Sequence, residues 1–280
     1  MYAHSAAVLS ALRASRAEAA QHRAKTQPTG DRPPLLLFAD PQYPKSTASP
    51  SLLDVFGPKT CADLRFDKLK ATTDEARALI RLFGITDTDR GVNLGANAQV
   101  PRLRELPLQL FQYAHFAMHA VLCPGEGRNG WTDAALAFSP TGDEKVGLLR
   151  LEEVYELRFD ANVITLSACE TALGQEINGE GVLGLTRAFL FAGSDSVVSS
   201  LWLVNDNSTA RLMTEFYGKL LQKRQKSGGE PRSIVAALQE AKRQLALGEP
   251  VAETAAAGID TRHPFYWAAF VLYGLPLSPP

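Results

Sequence analysis

Short apolar runs alternate along the chain with longer stretches in which apolar residues recur at helical spacing. The apolar runs lie at 35–41, 111–120, 162–169, 196–204 and 265–274. Because these runs are continuous rather than alternating, they are typical of strands that are buried on both faces of a sheet. Helical spacing is found at 72–84, 181–192, 207–222 and 231–247. Strands that alternate with helices in this way predict an α/β fold, a largely parallel sheet with helices on both faces.

Several shorter elements, an N-terminal segment and two candidate linkers complete this pattern. We expect a Thr or Asp cap at the start of the helix at 72–84 and a glycine at its end. Further short elements are predicted as a strand at 91–94, a helix at 99–106, a hairpin at 135–140 and a helix at 151–157. Residues 5–25 are rich in alanine, and their apolar spacing predicts a helix. We therefore predict a helical segment over 1–30 that packs on one larger domain over 31–280, with polar stretches at 41–60 and 223–231 as candidate linkers.

Charge, cysteine content and hydropathy exclude several classes of protein. The 29 basic and 30 acidic residues give a formal net charge of −1, and no basic stripe is present that would neutralise phosphates, so nucleic acid is not expected as a direct partner. Cys61, Cys123 and Cys169 form no CxxC pair, which argues against a disulfide framework or a structural metal site and fits a reducing cytoplasm. No apolar run approaches the roughly 20 residues that span a bilayer, so no membrane association is expected.

Two candidate catalytic residues come at the ends of predicted strands. His119 ends the run 111–120, and Cys169 ends the run 162–169. The carboxyl ends of parallel strands share one edge of a sheet, and neighbouring strands lie about 5 Å apart, so the two side chains are expected to approach each other there. His119 precedes Cys169 by 50 residues, which agrees with the separation of about 50 residues in caspases.

A cysteine and a histidine in contact can act as a nucleophile and its base. A free thiol has a pKa of about 8.5 and is mostly protonated at neutral pH, so a neighbouring imidazole activates it by taking the proton. The backbone N–H groups of Cys169 and Ala120 are candidates to stabilise the oxyanion that follows attack on a carbonyl. Taken singly, Cys169 has the alternative of a buried small hydrophobe, and His119 that of a core histidine. Their joint position and spacing favour the catalytic interpretation.

Several motifs resemble one known family. The segments AHFAMHA at 114–120, LSACETALGQEINGEGVLGLTRAFLFAGSDSVVSSLWLVND at 166–206 and HPFYWAAFVLYG at 263–274 are similar to the core motifs of CHAT domains. YAHSAAVLSAL at 2–12 looks like an early segment of the same family. CHAT domains are caspase-like peptidase domains, often fused to tetratricopeptide repeats and related to caspases and separases. The resemblance implies a caspase-like three-layer sandwich with a six-stranded sheet, and it implies that His119 and Cys169 are a catalytic dyad.

The resemblance also implies an activity and its partners. It implies a cysteine endopeptidase that needs neither cofactor nor metal, acts on a protein or peptide substrate, and is held latent until a regulatory partner or a tetratricopeptide-repeat protein reshapes its loops. The family commonly has Thr-His-Gly where this chain has Met118-His119-Ala120, and the extra methyl group beside the site is expected to reduce activity or narrow the substrates. The nucleophile lies in SACET rather than the QACRG of caspases, so caspase specificity for aspartate is not transferred. The competing hypothesis is a catalytically weak CHAT domain that acts as an interaction module in a larger assembly.

Three further residues are candidates for binding the substrate. Asp206 follows the strand that contains Trp202, and separase is similar here in using an acidic residue to bind an arginine side chain, so Asp206 is expected to select a basic P1 residue. The alternative is that Asp206 caps the helix that begins near Asn207. Asp40 ends the first strand at the same edge and either borders the cleft or only forms an Asp-Pro turn. Trp202 either lines the cleft or packs in the core.

Two other residues are expected to be structural. His115 has the same strand parity as His119, but no third ligand with suitable spacing accompanies the two histidines, so a metal site is not expected. We expect His115 to form a hydrogen bond within the core. Cys123 is predicted to lie in a loop, with no base beside it.

Overall fold

Strands and helices alternate along the described part of the chain, as the sequence predicts. The structure, a computed structural model, describes residues 34–44, 66–69, 71–123, 133–142, 144, 146–167, 180–202, 204–222, 233–248 and 260–274. Its strands are β1 (Leu35–Ala39), β2 (Val92–Leu94), β3 (Tyr113–Ala117), β4 (His119–Cys123), β5 (Asp133–Phe138), β6 (Gly147–Arg150), β7 (Val163–Leu166), β8 (Ser196–Ser200) and β9 (Phe270–Gly274). Its α-helices are α1 (Thr72–Phe83), α2 (Val100–Glu105), α3 (Leu151–Val154), α4 (Glu180–Phe191), α5 (Asp206–Leu221) and α6 (Ile234–Leu247).

The central sheet has six strands in the order β2-β1-β3-β7-β8-β9. Neighbouring strands are parallel except at one edge, where β9 runs antiparallel to β8. Strands β4, β5 and β6 form a second sheet, which is antiparallel. The predicted α/β class and the mostly parallel six-stranded sheet are therefore confirmed.

Both faces of the central sheet are buried, which explains why its strands are continuous apolar runs in the sequence. In β1, Leu36 and Phe38 pack in a hydrophobic cluster with residues of α2, α3, α4 and the second sheet. Leu35 and Leu37 point to the other face, where they pack in a cluster with residues of α1, α5 and α6. Helices cover the sheet on both sides, so the predicted three-layer sandwich is confirmed.

The predicted helix boundaries are close to the observed ones, with one wrong cap. Helix α1 ends at Gly84, whose φ of 64° is the left-handed conformation that glycine favours after a helix. At its other end the N-cap position is occupied by Ala71, which has no capping side chain. The Thr72 hydroxyl donates instead to the carbonyl of Leu69. The predicted Thr or Asp cap is therefore wrong.

The long apolar run at 111–120 is not one strand. It is divided at Met118 between β3, which belongs to the central sheet, and β4, which pairs antiparallel with β5 in the second sheet. Met118 is fully buried, so the hydrophobic pattern continues through the break and does not mark the change of sheet. The predicted strand at 265–274 begins later, at Phe270, because the residues around Pro264 form a 3₁₀ turn.

Several predictions fall on residues outside the described ranges. They include the helical segment at 1–30, most of both candidate linkers, Cys61 and Cys169. The division into a segment at 1–30 and a domain at 31–280 therefore stays a prediction. No helix within the described ranges combines the length and the apolar character that crossing a bilayer requires.

Candidate active site

Three of the candidate residues follow the carboxyl ends of strands in the central sheet. Asp40 follows β1, His119 follows β3, and Trp202 follows β8. In the parallel pairing of β3 with β7, Phe116 lies opposite Leu166. His119 and Cys169 are each three residues further along their chains from this pair. Cys169 itself lies outside the described residues, but the strand that leads to it is the parallel neighbour of the strand that leads to His119.

The imidazole of His119 is held in a fixed orientation. His119 is the first residue of β4 and is only 4% exposed. Its ring packs against the rings of Tyr43 and Phe66, with centroid separations of 5.6 and 5.3 Å, and those two rings also contact each other at 5.1 Å. Its Nε2 is 2.7 Å from the carbonyl oxygen of Asp67. A carbonyl only accepts, so Nε2 carries the proton and donates, which leaves Nδ1 of the neutral ring as a hydrogen-bond acceptor.

Burial and charge act on His119 in opposite directions. Burial lowers the pKa of His119 because the imidazolium form loses its hydration. The hydrogen bond to the Asp67 carbonyl and the negative charges of Asp206 and Asp67 raise that pKa, but burial is the largest influence and the pKa stays below its ordinary value. The ring is therefore in its neutral, basic form at neutral pH. Such a ring can take a proton from a nearby thiol.

Tyr43 contributes packing rather than a titrating group to this site. Its hydroxyl donates to the carbonyl of Ala137 at 2.7 Å, and burial raises the pKa of the phenol. Tyr43 was not predicted from the sequence as part of the site. Tyr43 lies in the polar stretch at 41–60, where no sequence pattern distinguishes it from other loop residues.

Asp206 is the first residue of α5 and is half-buried. The cap of this helix is Asn205, whose side-chain oxygen accepts from the N–H groups of Asn207 and Ser208 at 3.0 and 3.2 Å. The alternative in which Asp206 is the helix cap is therefore wrong. The carboxylate of Asp206 lies near enough to His119 for its charge to raise the pKa of the imidazole. The two predicted site residues therefore interact electrostatically.

Trp202 is half-buried beyond the end of β8. Its Nε1 donates to the carbonyl of Phe265 at 3.0 Å, and its ring is stacked on the ring of Phe265 with the centroids 6.3 Å apart. Phe265 is 47% exposed. An aromatic pair that is partly open to solvent therefore follows the strand next to β7. The same Trp202 also packs against the cluster that contains α5 and α6, so both of its predicted roles are compatible with its position.

Asp40 has an unusual backbone conformation for a non-glycine residue. Its φ is 53°, in the left-handed region that aspartate tolerates better than most side chains. Its side chain is 13% exposed, and Oδ1 is 3.2 Å from the Nζ of Lys68. Ala120, the other residue beside His119, is in β4 opposite Leu136 and is 4% exposed. Both residues lie at the predicted edge of the sheet.

A buried polar cluster beneath this edge was not recognised from the sequence. Glu75 in α1 is 2% exposed, and its Oε1 accepts a hydrogen bond from the Ser167 hydroxyl at 2.7 Å. The Nε2 of His115 is 2.9 Å from the same oxygen, although among the described residues neither ring nitrogen has a partner aligned as a hydrogen bond. The hydrogen bond predicted for His115 in the core is thus replaced by a close contact. An acidic residue in the first turn of a helix is ordinarily a surface feature, which is why Glu75 gave no signal.

Cys123 differs from its prediction in two ways. It is the last residue of β4 rather than a loop residue, and it is fully buried. Its sulfur takes part in a disulfide, whereas the cysteine spacing argued against a disulfide framework and for a reducing cytoplasm. Within the described ranges, no three His, Cys, Asp or Glu side chains are grouped as metal ligands.

Known proteins are similar to this chain over different lengths. A structure of the Saccharomyces cerevisiae separase–securin complex aligns with a TM-score of 0.42 and 18% identity, over 74% of this chain and 12% of that chain. Tetratricopeptide repeat protein 28 is 31% identical over 129 residues in Mus musculus and 31% identical over 127 residues in Homo sapiens. Each of these alignments covers 45% of this chain and only 4% of the relative. The family model for the CHAT domain matches residues 1–275, and the chain therefore belongs to the CHAT domain family.

Proposed function

We propose that the chain is a cysteine endopeptidase in which Cys169 is the nucleophile and His119 is its general base. The observation that carries this proposal is the parallel pairing of β3 with β7, because the two strands that precede the candidate residues end at the same edge of the sheet. The tautomer of His119 supports it, since a neutral ring that donates from Nε2 has its basic lone pair on Nδ1. We also propose a cytoplasmic location, in which the disulfide of Cys123 would be reduced.

The proposed reaction has two steps. His119 takes the proton from the Cys169 thiol, the thiolate attacks the scissile carbonyl, and the backbone N–H groups of Cys169 and Ala120 stabilise the oxyanion. His119 then gives the proton to the leaving amine, and the acyl-enzyme forms. A water molecule, deprotonated by His119, hydrolyses the thioester and releases the thiol. No cofactor takes part.

We propose that Asp206 selects a basic P1 residue. It is half-buried, its charge reaches His119, and the cap of α5 is supplied by Asn205 instead. A carboxylate in this position would pair with the guanidinium of arginine or the ammonium of lysine. Trp202, with its partly exposed stacked partner, would form an apolar wall of the same cleft, and Asp40 would border it on the β1 side.

A peptide-library cleavage assay tests the proposal. We expect the wild-type chain to cut after Arg and Lys, and we expect Cys169→Ala and His119→Ala to abolish cutting. Asp206→Asn should remove the preference for a basic residue. Glu215→Gln on the same helix is the matched control, because Glu215 pairs with Lys219 at 3.9 Å on the helix surface. Cutting that persists in Cys169→Ala would rule out the nucleophile, and an unchanged preference in Asp206→Asn would rule out the pocket.

A second candidate is a catalytically weak CHAT domain that binds protein partners. It is favoured by Ala120, which is almost fully buried at a position where the resemblance to CHAT domains leads us to expect glycine, because a methyl group leaves less room beside His119. The partner we propose is a tetratricopeptide-repeat protein, since the curated relatives bear that name. Selective alkylation of Cys169 that is lost in His119→Ala supports the peptidase. Alkylation of Cys169 that is slow, and equally slow in the wild-type chain and in His119→Ala, supports the binding domain.

A further inference from the structure

A chain of buried polar side chains links α1 to the end of β7 on the face of the sheet that α5 covers. Glu75 contributes one carboxylate oxygen to two partners, the Ser167 hydroxyl at 2.7 Å and the His115 Nε2 at 2.9 Å. These residues are 2%, 4% and 0% exposed, respectively. From this cluster we infer that Glu75 is a positioning residue for Cys169 that acts through Ser167, with His115 holding Glu75 in place.

The geometry at the end of β7 gives Ser167 its importance. The strand is only four residues long, and its last paired residue is Leu166, which lies opposite Phe116 on one side and Ser199 on the other. Ser167 is therefore the first residue beyond the strand pairing, and Cys169 follows two residues later. With no strand neighbour paired to it, Ser167 is tied to the body of the domain by its hydrogen bond to Glu75. We expect that bond to fix the position of Ser167, which is the last described residue before Cys169.

Burying these polar groups costs free energy, which argues against an incidental role for the cluster. The surrounding residues form the hydrophobic cluster of α1, α5 and α6, in which a carboxyl group loses its hydration unless hydrogen bonds replace it. Well-packed apolar side chains of similar volume are often as stabilising as such a buried polar group. A buried carboxyl that contacts both His115 on β3 and Ser167, two residues before the proposed nucleophile, fits the requirement for accurate placement of a reacting sulfur. A displacement of about 1 Å at a reacting atom lowers rates by as much as 100-fold.

The chain offers a matched control two residues earlier on the same face of β7. The Thr165 hydroxyl is hydrogen-bonded to the Tyr217 hydroxyl at 2.8 Å, and both residues are fully buried. Thr165→Val and Ser167→Ala each remove one buried hydroxyl from the same strand face. Thr165, however, lies inside the paired strand, opposite His115 in the register of β3 with β7. The two variants should therefore lose similar stability, but only Ser167→Ala should displace Cys169.

The experiment measures the rate at which iodoacetamide alkylates Cys169, resolved by mass spectrometry of the Cys169 peptide, together with the thermal unfolding midpoint of each variant. We expect Ser167→Ala and Glu75→Ala to slow alkylation by about 10-fold or more, and Thr165→Val to change it by less than about 2-fold. Glu75→Gln keeps an oxygen that accepts from Ser167 and should retain most of the wild-type rate. On a peptide substrate, Ser167→Ala should lower kcat with little change in KM.

This inference rests on the proposed function, and the two fail in different ways. If alkylation of Cys169 in the wild-type chain does not depend on His119, the proposed dyad is wrong and the positioning role is overturned with it. If alkylation depends on His119, but Ser167→Ala and Thr165→Val slow it equally, the dyad stands and the positioning role is overturned. A rate in Glu75→Gln as low as that in Glu75→Ala would also contradict positioning by this hydrogen bond.

Discussion

His119 depends for its basicity on a balance between burial and nearby negative charge. Burial alone would lower the pKa of the imidazole further, which would leave a weak base beside the thiol. The hydrogen bond to the Asp67 carbonyl and the charges of Asp206 and Asp67 oppose that effect. If Asp206 also binds a basic P1 side chain, the same carboxylate would act on both the substrate and the base. Substrate binding would then partly neutralise Asp206 and lower the pKa of His119.

Asp206→Asn should lower the pKa of His119. The substitution removes a negative charge that favours the imidazolium form, so the protonated ring loses stability relative to the neutral one. A proton NMR titration of the His119 ring measures this directly and does not require any peptidase activity. Glu215→Gln, on the same helix, is the control and should leave the titration unchanged. A His119 titration that is identical in wild type and Asp206→Asn would contradict the proximity of the two side chains.

His119 should also make the folded state less stable at acidic pH. Its pKa in the folded state is lowered, whereas the unfolded chain has the ordinary value of about 6.5. Between these two values the unfolded state binds more protons, so stability is fully present above about pH 6.5 and is lost as the pH falls through the folded-state pKa. Urea unfolding at about pH 7.5 and pH 5 measures the loss. It should be smaller in His119→Gln, and an equal loss in both chains would contradict the burial of a neutral ring.

Residue types and their positions predicted part of the candidate site, but they did not predict the buried cluster of Glu75 and Ser167 beneath it. His119, Asp206, Trp202 and Asp40 follow strand ends, and strand ends can be read from apolar runs. Glu75 is different, because a glutamate in the first turn of a helix is ordinarily exposed. Its contact with Ser167 joins residues 92 positions apart, and such a pairing depends on how α1 packs against the sheet rather than on any local pattern.

At the scale of elements, helices were predicted more accurately than strand ends. A helix has caps and an apolar stripe that both change at its boundary, as at Gly84. A strand buried on both faces has only its apolar run. That run passes through Met118 without interruption while the chain moves from the central sheet to the second one. The break between β3 and β4 follows from the pairing partners of each half, which are distant in sequence.

Substitution by alanine should lower the unfolding free energy by very different amounts at two glycines that lie at element ends. Gly84 has a φ of 64° and no neighbouring atom within 4 Å of an added Cβ, so Gly84→Ala should cost about 1 kcal/mol of unfolding free energy for the left-handed backbone alone. Gly193, between α4 and β8, has a φ of 110°, and an added Cβ would lie 2.2 Å from the carbonyl oxygen of Phe159. Gly193→Ala should therefore cost more than about 3 kcal/mol.

Urea unfolding of the two glycine variants measures this difference. The wild-type chain and both variants should show the same dependence on denaturant, so that the midpoints alone report the change. Equal losses in Gly84→Ala and Gly193→Ala would mean that the segment between α4 and β8 relaxes away from Phe159 at little cost.

At the scale of the whole molecule, the fold class was predictable because it depends on the order and periodicity of elements rather than on their exact ends. Alternating strands and helices require crossovers that cover both faces of a parallel sheet. The second sheet, β4 to β6, was predicted only as a hairpin, since nothing local distinguishes a strand that joins the main sheet from one that leaves it. This second sheet includes His119 and Ala120, so the least predictable part of the fold carries part of the candidate site.

The two hydrophobic clusters on opposite faces of the central sheet should unfold as one unit. Leu36 and Leu37 are adjacent and fully buried, but they pack in different clusters. Because both clusters share the same strands, Leu36→Ala and Leu37→Ala should each lower the unfolding free energy by about 2–5 kcal/mol, and each should keep a single transition. Circular dichroism and tryptophan fluorescence, followed together in urea, measure both quantities.

Leu82→Ala, at a leucine 39% exposed on α1, is the control and should lose less than about 1 kcal/mol of unfolding free energy. Separate transitions by the two probes in either core variant would show that the layers on the two faces fold independently.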